Sequence, residues 1–133
     1  MSGDIVKSGL PLTTSSLITV LLVSVHLADD VARQMEPGNL SYLAISVAFI
    51  TIWLYGTLVL SGRMSGYIIM TLGSLLAVVI PIVHMTGAGI GVEIVRSEGG
   101  FFFVWTLLAL GAGAVFTLIL SVRGLWGLRR NAP

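Results

Sequence analysis

The chain contains no cysteine, which excludes disulfides, thiolate metal sites and thiol redox chemistry. Charge is scarce as well: Asp, Glu, Lys and Arg together make up 10% of the 133 residues, where a soluble globular domain carries roughly a quarter. There are only two histidines, so any imidazole chemistry has two places to reside. No extramembranous stretch is long enough for a soluble catalytic domain, and no nucleotide-binding, phosphoryl-transfer or nicotinamide motif occurs. Ser24, His26 and Asp29 could form a triad on paper, but Ser24 and His26 point about 200° apart on one helix. The absence of any catalytic motif points away from an enzyme.

What the chain does have is long apolar runs, with hydrophobic residues at 56%. Leu40 to Leu60, Ser65 to Val83 and Phe101 to Val122 are each long enough to cross about 30 Å of hydrocarbon at about 1.5 Å per residue. None contains a charged side chain. A first segment is weaker. Its dense core, Leu17 to Leu27, has the length of a signal-peptide core, but Lys7 stands far from Met1 and no small-x-small cleavage site follows. Adding Leu12 to Ser16 brings it to spanning length. The expected fold is therefore an all-α membrane protein, a single domain over 1–133, with spans at about 12–28, 40–60, 65–84 and 101–122.

With four spans, the N-terminus, the 61–64 turn and the C-terminus share one side. That side carries Lys7, Arg63, Arg123, Arg129 and Arg130 against one acid, Asp4. The opposite side carries Arg33 and Arg96 against Asp29, Asp30, Glu36, Glu93 and Glu98. Basic residues near span ends mark the cytoplasmic face. Both termini are expected in the cytoplasm, in a bacterial-type inner membrane or a plasma membrane. Arg129 and Arg130 then meet anionic headgroups, which is anchoring to the bilayer and not nucleic-acid binding.

The two halves resemble one another. Ser16-Leu17-Ile18-Thr19-Val20 through His26-Leu27 matches Ser74-Leu75-Leu76-Ala77-Val78 through His84-Met85 at a constant offset of 58. Thr57-Leu58-Val59-Leu60-Ser61-Gly62-Arg63 matches Thr117-Leu118-Ile119-Leu120-Ser121-Val122-Arg123 at an offset of 60. Shared Leu and Val are cheap in any pair of apolar helices. The pairing of both histidines, and of Ser-x-Arg, is not. The expectation is two tandem helical hairpins, about 12–63 and about 65–123. Each holds two spans, so they are related by an axis along the membrane normal. Helices one and three would then face each other diagonally across a four-helix bundle.

This arrangement turns two distant histidines into one candidate site near the outer surface. Asp29 and Asp30 follow His26 at three and four residues, on the same helix side. Ionisable groups within a membrane face the bundle interior or a water-filled cavity. His26, His84, Asp29 and Asp30 are accordingly the expected ligands, with Glu93, Arg33, Arg96 and Met85 as supporting residues. Imidazole with carboxylate suits a divalent metal ion. The leading expectation is a membrane protein that binds a metal ion or similar small ligand between the repeat halves. Three other readings stay open: an accessory or structural subunit of a larger membrane complex or homo-oligomer, a bis-histidine haem electron carrier, and a proton- or solute-coupled carrier.

Smaller features have modest readings. Thr86 to Gly91 lacks the strand and the Lys-Ser/Thr of a phosphate loop and reads as a flexible turn. Gly111-Ala112-Gly113-Ala114 marks a close helix contact, within the chain or between copies. Pro81 should free the carbonyl of Ala77 and bend the third span.

Overall fold

The computed structural model describes residues 2–33, 40–86, 94, 96 and 98–130. Four helices make up the architecture: α1 (Ser2–Ala32), α2 (Leu40–Leu58), α3 (Met64–Thr86) and α4 (Gly100–Arg130). Each includes a stretch long and apolar enough to span a membrane, that of α1 being Gly9–Ala32. In hydrocarbon every backbone N–H and C=O must be satisfied within its own segment, and a helix does this along the whole crossing. This is an integral membrane four-helix bundle. The Pro37-Gly38 turn, Glu36, Glu93 and the run from 87 to 91 lie outside the described residues.

Neighbours in sequence are neighbours in space. α1 packs against α2 and α4, α3 packs against α2 and α4, and α1 and α3 touch lightly across the short diagonal. α2 and α4 do not meet. The connections after α1 and after α3 lie at one end, here the loop end. Both termini and the tight α2–α3 turn lie at the other, the terminal end. Gly62 sits in that turn with φ 76°, a conformation that costs a residue with Cβ, and Arg63 N–H donates to Leu60 O at 3.0 Å.

Lipid tails are as apolar as leucine, so burial alone does not hold these helices together. Close approach does. A Cβ on Gly73 would stand 2.7 Å from the Trp53 ring, one on Gly113 3.0 Å from Thr19 Oγ1, and one on Gly111 3.2 Å from Pro81 Cγ. The small-residue stretch of α4 therefore faces inward, Gly113 to α1 and Gly111 to α3.

The second adhesive is a band of buried hydroxyls in the terminal half. Ser16 Oγ and Thr57 Oγ1 lie 2.8 Å apart, and the Trp53 indole N–H donates to Ser16 Oγ at 2.9 Å. Ser15 Oγ lies 2.7 Å from Thr117 Oγ1, which Thr19 Oγ1 also approaches at 3.1 Å. Thr71 Oγ1 donates to Ser121 Oγ at 3.0 Å. α1 is thereby tied to both of its neighbours. The residues that make the first span look weak are the ones that bind it: 39% of its most apolar window is buried, against 17% for α2. A Thr117→Val substitution keeps the shape and removes one hub. It is expected to lower stability by about 1 kcal/mol in reversible mixed-micelle unfolding, near the middle of the range for interhelical bonds in bilayers.

Between this band and the loop end lies a dry layer of Val23, Ala77, Leu107 and Leu110, all buried. α2 takes part only in the terminal half. Its buried residues are Trp53, Gly56 and Thr57, whereas residues 40 to 45 are exposed on every side of the helix.

Candidate functional site

α1 stays helical through Ala32, so Asp30 stands one turn beyond His26 on the same side. His26 Nε2 lies 3.3 Å from Asp30 Oδ2, and both side chains are almost fully buried. From across the diagonal, α3 delivers His84, whose Nε2 lies 3.5 Å from the same Asp30 oxygen. The two imidazoles meet edge to face, with centroids 4.8 Å apart. Phe103 of α4, fully buried, forms the wall behind them at 5.6 Å from His26 and 6.0 Å from His84. Three helices thus converge on one point near the loop end.

The hydrogen bonding of the two rings differs. His84 Nδ1 lies 2.9 Å from the Ile80 carbonyl, the acceptor one turn back. A carbonyl can only accept, so Nδ1 carries a proton, and Nε2 is the nitrogen that faces Asp30. A metal-binding histidine is oriented in the same way, its far nitrogen donating to a carbonyl or carboxylate. His26, at 3% exposure, has neither ring nitrogen in a hydrogen bond among the described residues. Buried polar groups in native proteins are nearly always satisfied, and an exception calls for an explanation.

The geometry narrows that explanation. One ligand atom from each of His26, Asp30 and His84 can be chosen so that all lie within 4.8 Å of one another. The separations of 3.3 and 3.5 Å are long for a hydrogen bond to a carboxylate. Both are close to the edge of a tetrahedron around a metal with bonds of about 2.0–2.1 Å, which is about 3.3–3.4 Å, while the imidazole-to-imidazole edge is bounded at 4.8 Å. A porphyrin between the imidazoles would need the space next to both rings that Asp30 Oδ2 occupies, so axial ligation of one haem by this pair does not fit.

The other expected residues fall into different places. Asp29 is rotated about 100° from Asp30 around the helix and pairs with Arg33, Nε to Oδ2 at 2.8 Å, so it stands apart from the imidazole cluster. Arg33 is a brace. It donates to the carbonyls of Glu98 and Gly99 at 3.5 and 3.3 Å, and its guanidinium lies 5.8 Å from the Phe103 ring centre. Gly99 has φ 80° and its carbonyl also accepts from Phe103 N–H at 3.2 Å, so Arg33 holds the start of α4 and hence the wall of the site. Met85 and Arg96 are exposed and do not line the site. Glu93 lies outside the described residues.

The loop-end stretch of α2 leaves a cleft of about 360 Å³ against the cluster. His26, Asp30 and His84 form its polar end, and Tyr42 and Ser46 of α2 face them across it. Phe103, Tyr42 and Ser46 were not expected at the site. No sequence pattern marks them, because they depend on how α2 and α4 are angled against the α1–α3 pair.

No family model matches the chain, and no curated protein or solved structure matches it either.

Proposed function

We propose that this membrane protein binds one divalent transition-metal ion of the Zn(II) class at its loop end, through His26 and His84 of opposite helices and Asp30. The observation that carries this reading is His26: a buried imidazole with neither ring nitrogen hydrogen-bonded among the described residues, beside a second imidazole and a carboxylate whose ligand atoms all lie within 4.8 Å of one another. A metal ion gives His26 a partner and takes Asp30 and His84 as further ligands. Two nitrogens and an oxygen, with no thiolate, suit Zn(II), Mn(II) or Fe(II). Three protein ligands leave a fourth position open, as in sites that exchange a water for another ligand.

Two further elements belong to the reading. The loop end faces the exterior and both termini the cytoplasm, which is supported by five of seven basic residues falling at the terminal end. The two hairpins descend from one duplicated unit, supported by the equivalent sequence positions of His26 and His84.

The test is a Zn(II) titration of metal-stripped protein in detergent, followed by a competing chelator. Wild type should take up one equivalent. His84→Ala should bind more weakly by well over the 10–100-fold that loss of an outer-sphere partner produces. Absence of uptake by wild type, or equal uptake by the variant, overturns the proposal.

A further inference from the structure

The cleft that ends at the cluster does not point into water. Its lining includes Ile45 on α2 and Leu76 on α3, which are 69% and 57% exposed. Leu76 lies eight residues before His84, about 12 Å further into the membrane. A residue that lines a cavity at that depth and is still half exposed marks a mouth on the lipid-facing surface, between α2 and α3. The reverse side of the cluster is closed by Phe103, itself held by the Arg33 brace to the 98–99 carbonyls. Deeper in, Val23, Phe49, Ile50 and Ile80 line the cleft with apolar surface. Its only groups with polar side chains are at the metal-site end: His26, Asp30, His84, Tyr42 and Ser46.

A cavity with an apolar shaft, a sideways mouth and one polar end selects a molecule of the same pattern. Resting on the metal-site reading above, we infer that the open coordination position is addressed from within the bilayer, by an amphiphile with an oxygen-donor headgroup and an alkyl tail. The headgroup class is an anionic oxygen donor such as a long-chain carboxylate. It meets the net positive charge that a divalent ion retains beside a single carboxylate ligand, and its tail fills the shaft. Tyr42 and Ser46 offer the remaining hydroxyls for headgroup oxygens. The tail is already in apolar surroundings before it enters, so it contributes by concentrating the headgroup in the bilayer and by its fit to the shaft, not by transfer from water.

The experiment uses the full chain in nanodiscs, loaded with Co(II), whose visible bands report its coordination sphere. A long-chain alkyl hydroxamate and the water-soluble acetohydroxamate serve as probes. The long-chain probe should change the bands at a far lower concentration than acetohydroxamate. Preferential partitioning of the long chain into lipid could mimic that result, so a Leu76→Trp variant, which fills the mouth of the shaft away from the polar end, is measured alongside. It should require at least tenfold more long-chain probe, while acetohydroxamate acts on both proteins alike. Co(II) bands that neither probe changes, or a long-chain response equal in wild type and Leu76→Trp, overturn the amphiphile inference and leave the metal site standing. Failure of wild type to take up Co(II) overturns the metal-site reading itself, and this inference with it.

Discussion

Zn(II) at a free concentration one hundred times its Kd is expected to stabilise the wild-type protein by about 2.7 kcal/mol and to leave a His26→Leu variant unmoved. The metal-free comparison should run the other way. An unsatisfied buried polar group costs about 1–3 kcal/mol, and both His26 ring nitrogens lack a hydrogen bond among the described residues. Leucine fills similar space against Phe103 with no polar atom. Stripped of metal, His26→Leu should therefore equal or exceed the wild type by about 1 kcal/mol. The measurement is reversible unfolding in mixed micelles, with added Zn(II) and with chelator. A structural His26–Asp30 pair predicts the opposite: His26→Leu would be the weaker protein without metal, and Zn(II) would shift neither. A site that destabilises the fold until its ligand arrives is the usual trade between stability and function.

The second large effect concerns Trp53, which is 1% exposed, packs over Gly73 and donates to Ser16. Trp53→Ala is expected to lose about 3 kcal/mol, the low end of the range for a buried aromatic truncation. The low end applies because lipid is itself apolar, so the transfer contribution shrinks while the cavity and the broken hydroxyl bond remain. Trp105, at 61% exposure, is the matched control, and Trp105→Ala should stay within about 0.5 kcal/mol of wild type. Equal losses at the two positions would refute the account of α2 as a helix secured at one end by a single large side chain.

Much of this was legible in the residues. Uncharged runs of spanning length mark three of the helices, since only a helix satisfies its backbone in hydrocarbon. The first was harder to read. Ser15, Ser16 and Thr19 lower its hydropathy, yet they point at Thr57 and Thr117 and not at lipid. Matching hydroxyls at helical spacing on several spans was the available signal. The convergence of His26 and His84 was the expectation drawn from the 58-residue offset at which the sequences of the first and third spans match. Which aspartate joins them did not follow from it, because residues three and four positions on are both near neighbours on a helix. Arg33 pairs with Asp29, and Asp30 is the carboxylate that comes within 3.5 Å of both imidazoles. Phe103 and the cleft stayed hidden because they arise from the angle between helices, a property of packing that no local pattern encodes.

The dry layer of Val23, Ala77, Leu107 and Leu110 has an electrical meaning. It separates the histidine cluster from the hydroxyl band by roughly two helical turns, about 10 Å between His26 and Thr19. An ion entering it would leave the imidazoles and the carboxylate behind, with the hydroxyls of Thr106 and Ser74 at its margins, and the idealised cost of moving a bare charge into apolar surroundings is of order 20 kcal/mol. In this conformation the layer is an insulator in series with the proposed site: a cation held there would have no charged path to the far end of the bundle.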